Sequence, residues 1–185
     1  MKEGEKIEGF VYLTSGLAKI HKIEFEKSEQ IIGISKPFDF IGFLCNFTGG
    51  YSKYSYTAIE DATACFIPIK IIKDLIITNG NFSLNLLKNL SKTAEEIIEN
   101  RFRLNSKHLR GRIAYILLFF ANEIYKNDTY NLPISRKEIA ELINMTTENV
   151  IRIMSEFRQD KIISIDGKTI RILNKEFLEK ICNAG

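Results

Sequence analysis

Glu148 and Arg152 stand four residues apart in the segment Thr146-Thr147-Glu148-Asn149-Val150-Ile151-Arg152. On a helix that spacing puts both side chains on one side. An arginine presents paired N–H donors that match O6 and N7 of guanine, and a glutamate accepts from the cytosine amino group. Such residues on an exposed helix can read base-pair edges; the plain alternative is a surface ion pair. Other chemistries find little support. His21 and His108 are the two histidines and lie far apart, which excludes most zinc and two-histidine metal sites. Cys45, Cys65 and Cys182 are odd in number with no close pairing. No disulfide framework is expected, a reducing cytoplasm is the default, and Cys45 and Cys65 read as small core residues. A cupin-like barrel enzyme would need a His-x-His pair plus Glu and a further His on neighbouring strands. Only His21 falls in the strand-rich region, so no catalytic residue, metal or cofactor is expected, and the chain reads as a non-enzyme.

The elements that must position Glu148 and Arg152 are legible around them. Ser135 and Glu138 have the S-x-x-E spacing of a capping box, which starts one helix. Thr146 is an N-cap residue that starts a second. Between the two starts, Ala140 is small where crossing helices must approach, Asn144 tolerates a left-handed turn, and Val150 points back into the crossing. Offsets of four and six among these three are those of a helix-turn-helix. Downstream, Asp166-Gly167-Lys168 separates the β-prone runs Ile162–Ile165 and Thr169–Leu173, a hairpin signal. A hairpin in that place is a wing, and Lys168 at its tip suits a phosphate.

The rest of the chain changes character at Pro68. Before it, short runs rich in β-branched and aromatic residues (Phe10–Leu13, Leu17–Ile23, Ile31–Ile34, Phe38–Ile41, Ser55–Ile59, Ala62–Ile67) alternate with Gly, Pro, Asn and Asp, the pattern of a sandwich or small closed barrel. After Pro68 a short helix is expected over Ile69–Ile77, then a long one over Phe82–Leu104. On the long helix Leu86, Leu90, Ala94, Ile97 and Leu104 recur at helical steps. A narrow seam of that length suits a coiled-coil dimer element; packing on its own barrel is the alternative. Ser106 is placed to act as hinge and N-cap of a further helix, about Lys107–Tyr125.

Of 185 residues, 45% are hydrophobic and 26% charged, an ordinary globular composition. No apolar run approaches the ~20 residues of a membrane span, and the start, Met1-Lys2-Glu3-Gly4-Glu5, lacks the apolar core of a secretory signal. The net charge of +3 is unevenly placed. Residues 1–105 carry 13 basic and 13 acidic side chains, whereas residues 106–185 carry 13 basic and 10 acidic. A polyanionic partner for the second part fits that asymmetry.

Several stretches together resemble the cyclic-AMP receptor protein / fumarate-nitrate regulator (Crp/Fnr) family of bacterial transcription factors. They are Gly4-Glu5-Lys6 with Tyr12 and Gly16, Asp39-Phe40-Ile41-Gly42, Ala62-Thr63-Ala64-Cys65, Gly111-Arg112-Ile113-Ala114 and Arg136-Lys137-Glu138-Ile139-Ala140. The resemblance implies an α+β chain: a jelly-roll (double-stranded β-helix) sensor barrel over residues 1–80, a dimerisation helix over 81–105 and a winged helix-turn-helix over 106–185. It also implies a homodimer on a near-palindromic operator in double-stranded DNA, contact with RNA polymerase, and cytoplasmic location. Glu148 and Arg152 fall at the family's base-reading positions. Thr147 stands where cyclic-AMP-responsive members carry another base-reading arginine. Ser135, Arg136, Thr146 and Lys168 are expected on the DNA backbone.

The sensor departs from the family pattern. It begins inside that pattern, without its first helix and first strand. Phe43 replaces the glutamate that bonds the ribose in cyclic-nucleotide binders, Ser55 and Tyr56 replace the Arg-Ser pair on the cyclic phosphate, and Ile97 and Ile98 replace the polar pair over the base. An unpaired phosphate in such a pocket is costly. The effector is therefore expected to be something other than cyclic AMP or cyclic GMP, with Phe43, Ser55, Tyr56, Ile97 and Ile98 lining its site. It is unidentified; the other possibilities are a redox or gas signal, or a sensor that needs no ligand at all.

Overall fold

The computed structural model describes residues 1–23 and 29–184, the side chains of Phe43 and Leu44 excepted. Contacts within the chain divide it into two compact units, Met1–Ile98 and Glu99–Gly185. The first unit holds two three-stranded antiparallel sheets. One has the order β4-β1-β6, built from β1 (Gly9–Ser15), β4 (Phe40–Ile41) and β6 (Thr63–Pro68). The other has the order β3-β2-β5, built from β2 (Ala18–Ile23), β3 (Glu29–Ser35) and β5 (Ser55–Ala58). Alternation along the strands sends one face of each sheet inward. Leu13 and Ile41 of one sheet meet Ala18 of the other in a buried cluster joined by Val11 and Tyr56. Gly16 turns β1 into β2 with φ +77°, and a side chain there would collide with the Asp61 carbonyl. That turn requires glycine.

Between β4 and β5 lies a one-turn helix, α1 (Phe43–Asn46), which the sequence pattern did not reveal. Cys45 is buried in it, as expected, but Cys65 is exposed. The correction has a simple cause. Strand β6 is an edge strand, and Thr63–Phe66 are exposed along it.

Pro68 leads into α2 (Ile69–Thr78), as its fixed φ and missing N–H favour. Helix α3 follows over Gly80–Ser106, its start held by the Asn79 Oδ1, which accepts from the Phe82 N–H at 3.0 Å. Here the expected seam needs revision. Phe82, Leu86 and Leu90 pack against Phe10 and Ile72 of their own unit, so Leu86 and Leu90 are partly covered, whereas Ala94 and Ile97 of the expected seam are exposed. A neighbouring stripe that shares Ala94 with that seam, Leu84, Leu87, Ala94 and Ile98, is exposed. Both stripes satisfy helical spacing; the sheet beside α3 decides which one is covered.

In the second unit, α4 (Leu109–Phe119) passes into a π-helical turn, Phe120–Ile124. A uniform helix from Lys107 is not formed, and Ser106 is not its cap. Ser106 ends α3, its hydroxyl donating to the Arg103 carbonyl at 3.1 Å, and His108 precedes α4 without a side-chain cap. In the wider turn the Tyr125 N–H bonds the Phe120 carbonyl at 2.9 Å. Tyr125 stacks on Tyr130, with centroids 5.4 Å apart. Tyr130 lies on β7 (Thr129–Asn131), which joins β8 (Ile163–Asp166) and β9 (Thr169–Ile172) in the order β7-β9-β8. Helices α5 (Arg136–Ile143), α6 (Thr147–Gln159) and α7 (Lys175–Asn183) complete the unit around a core that includes Ile113, Leu117, Phe120, Ile139, Phe157 and Leu178. Among the described residues no helix is long and apolar enough to cross a membrane.

Candidate nucleic-acid interface

Helix α5 starts on a complete capping box. The Glu138 N–H donates to the Ser135 hydroxyl at 3.2 Å, and the Ser135 N–H donates to the Glu138 carboxylate at 2.8 Å. It ends at Asn144, with φ 53° and ψ 60° in the left-handed region, which asparagine tolerates better than most residues. The Met145 N–H bonds back to the Ala140 carbonyl at 2.9 Å. Thr146 then caps α6, its hydroxyl oxygen accepting from the Asn149 N–H at 3.3 Å. Ala140 and Val150 are both buried where the helices cross. A larger side chain at either position would drive the helices apart.

Arg112, for which the sequence reading found no role, ties this turn to α4. Its Nη1 donates to the carbonyls of Ile143 at 3.2 Å and Asn144 at 3.1 Å, and its Nε donates to the Lys107 carbonyl at 3.1 Å. A helix C-terminus leaves such carbonyls without intrahelical donors, and that unmet need is the signal that points to a basic residue here.

The outer face of α6 carries the base-reading candidates. Thr147 is half-buried at its first turn, while Glu148 and Arg152 are exposed. The Glu148 carboxylate accepts from its own N–H and from the Thr146 hydroxyl, which hold its pKa below the ordinary value; it is an anion and an acceptor. Ile151, exposed between them, was missed because an isolated isoleucine in a helix reads as core. An apolar side chain there suits a thymine methyl group.

Glu148 and Arg152 do not pair with each other. Arg152 turns the other way, its Nη1 2.5 Å from Glu156 Oε1 and its Nη2 3.3 Å from Asn149 Oδ1. The second Glu156 oxygen lies 2.5 Å from Arg110 Nη1 of α4, and Arg110 Nη2 reaches Asp160 at 3.3 Å. The Arg110 guanidinium also stands over the Phe157 ring, 5.0 Å from its centroid. Glu148 already has two local donors and Arg152 has a fixed carboxylate one turn further on, so the alternative of a Glu148–Arg152 surface ion pair has no advantage.

Residues expected on the DNA backbone sit around this face. Ser135 and Thr146 mark the two helix starts, where unpaired N–H groups favour anions. Arg136 is half-buried beside Tyr130, and burial draws its pKa below the ordinary value. Lys168 is exposed at the wing tip next to Gly167, whose φ is +55°.

The expected effector residues are less coherent. The side chain of Phe43 lies outside the described residues. Ser55 accepts from the Glu3 N–H at 3.0 Å, whereas Tyr56 packs against the sandwich core, where burial and the nearby Cys45 push its phenol up to about 12. Ile97 and Ile98 are exposed on α3, outside that core cluster. Asn46 on α1 is buried, and neither atom of its carboxamide has a partner among the described residues. Among the described residues, no group of three or more His, Cys, Asp or Glu side chains is placed to hold a metal ion.

Comparison with known proteins finds two matching family models. A Crp-like helix-turn-helix domain matches residues 111–181, and a cyclic nucleotide-binding domain matches residues 1–79. The fumarate nitrate reduction regulatory protein of Klebsiella oxytoca is 23% identical over 184 residues, covering 97% of this chain and 73% of that protein. The fumarate and nitrate reduction regulatory protein of Vibrio cholerae is 25% identical over 177 residues, covering 94% and 70%. Among solved structures, FixK2 from Bradyrhizobium japonicum superposes with a TM-score of 0.87 at 20% identity, covering 100% of this chain and 92% of that one. A transcriptional regulator of the CRP family from Thermus thermophilus gives 0.84 at 19% identity, covering 98% and 91%. These structural likenesses show the fold.

Proposed function

This chain belongs to the Crp/Fnr family of DNA-binding transcription regulators, and from that premise we propose that it acts as a homodimer on a near-palindromic operator. Residues 106–185 present α6 to the major groove, 81–105 pair two protomers, and 1–80 form the sensor. Arg152 donates to a guanine, Glu148 accepts from a cytosine, and Thr147 contacts a further base. Ser135, Arg136, Thr146 and Lys168 hold phosphates. The observation that carries this reading is the exposed face of α6, with Glu148 and Arg152 on a helix capped and crossed at the spacing a groove requires.

Pairing through the exposed stripe Leu84, Leu87, Ala94 and Ile98 is supported by its steps of three, seven and four residues, which suit a helix–helix seam. The effector is neither cyclic AMP nor cyclic GMP: the residues those ligands need are replaced, and the Tyr56 ring packs against the core. The Asn46 carboxamide, unpartnered among the described residues, supports a small ligand with both a donor and an acceptor, since such a group is costly to leave unpaired. RNA polymerase is the partner through which bound protein acts, and the cytoplasm the compartment. The chain works as a regulator without catalysis.

Salt titration of duplex binding tests the reading. A protein that displaces counterions from several phosphates loses affinity linearly on a log–log plot with a steep negative slope. Salt-independent binding, or none to any duplex, would contradict it.

A further inference from the structure

Arg152 is held in an anchored cluster, not loosely extended into solvent. One Glu156 oxygen takes its Nη1 at 2.5 Å while the other is fixed at 2.5 Å by Arg110 from a different helix. Arg110 is in turn seated by Asp160 and by the face of the buried Phe157 ring. The carboxylate between the two arginines therefore has little freedom to follow Arg152 elsewhere.

A guanidinium has five N–H donors, and a guanine edge uses two of them. The remaining donors can stay with Glu156 while Arg152 reads a base. Without such a brace, a long side chain must be ordered at the moment of binding, and it can as readily settle on a phosphate, a contact that carries no sequence information. Arg110, Arg152, Glu156 and Asp160 together carry two positive and two negative charges. The cluster as a whole gives a passing phosphate little net attraction.

We propose that Glu156, anchored by Arg110, is a specificity-determining positioning residue: it orients the Arg152 guanidinium for a base edge and keeps it from the phosphates. This rests on Arg152 being a base reader. Removing the Glu156 charge then lowers discrimination at one base pair and leaves binding to unrelated duplexes unchanged or stronger.

The experiment uses duplexes selected by the full-length wild-type protein from a random pool, each also prepared with single base pairs exchanged. Binding is measured for the wild type, Arg152→Ala, Glu156→Gln, Arg110→Ala and the Arg152→Ala/Glu156→Gln double variant, with thermal unfolding to verify folding. Arg152→Ala abolishes preference at one base pair. Glu156→Gln lowers preference at that same pair by roughly five- to tenfold and adds no further loss in the Arg152→Ala background. Arg110→Ala, which removes only the anchor, shows a smaller fall at the same pair. If Arg152→Ala leaves preference unchanged everywhere, base reading by Arg152 fails and the role of Glu156 with it. If Arg152→Ala acts at one pair while Glu156→Gln keeps full preference, or weakens all duplexes alike, the role of Glu156 alone is overturned.

Discussion

Thr146 serves two neighbours at the start of α6. Its hydroxyl oxygen accepts from the Asn149 N–H, and its hydroxyl hydrogen is donated to Glu148, whose carboxyl is held below its ordinary value of 4.5. Loss of an N-cap threonine costs about 1 kcal/mol, so Thr146→Ala is expected to lower unfolding stability by about that much in denaturant titrations at neutral pH. The pH dependence has a definite sign. A depressed carboxylate contributes stability that is present above its unfolded pKa and lost as pH falls through its folded pKa. The Glu148 contribution is therefore intact above about 4.5 and fades below it. Thr146→Ala weakens that contribution, and its cost is expected to be larger at pH 7 than at pH 3. Equal stability of wild type and variant at pH 7 would contradict the capping geometry. Residue types at fixed offsets made this part of the molecule readable in advance: Ser135 with Glu138, Asn144 and Thr146 each solve a backbone problem that few side chains can solve. The partner of Arg152 was not readable, because Glu148 and Glu156 are both four residues away from it and only the anchoring by Arg110 from α4 separates them.

Helix α3 has two apolar stripes, and the local sheet takes one of them. Phe82, Leu86 and Leu90 lie against Phe10 and Ile72, leaving Leu84, Leu87, Ala94 and Ile98 exposed. Helical periodicity locates such a helix but leaves its rotation about its own axis undetermined, so of the seam drawn from spacing alone Leu86 and Leu90 fell on the covered stripe while Ala94 and Ile97 are exposed. The one-turn α1, the three-residue β7 and the π-helical turn at Phe120–Ile124 escaped for a related reason. Each is too short to carry a period, and β7 is held by a strand distant in sequence, Thr129 pairing with Arg171 and Asn131 with Thr169. The wing was visible because Asp166-Gly167 encodes its turn locally. Leu87→Glu combined with Ile98→Glu is expected to convert a dimer into a monomer in analytical ultracentrifugation, without lowering the thermal stability of the fold. The Leu86→Ala substitution should instead destabilise the first unit by about 2–5 kcal/mol, less for incomplete burial. A dimer that survives both glutamates would place the interface elsewhere.

The whole molecule combines a sensor fold and a groove-reading fold that follow the order of the Crp/Fnr family. In the first unit Ser55 accepts from the Glu3 N–H, Tyr56 packs against the sandwich core, and Ile97 and Ile98 are exposed. Titration calorimetry with cyclic AMP and cyclic GMP is expected to show no micromolar binding; saturable heat in that range would refute the reading of the site. The central claim is that two copies of α6 read one duplex. Selection of bound sequences from a random duplex pool tests it most directly. The expected outcome is an enriched inverted repeat whose half-sites lie about one helical turn apart, with a G·C pair in each half that loses enrichment in Arg152→Ala. A single unrepeated site, or a pool in which no sequence is enriched, would contradict it.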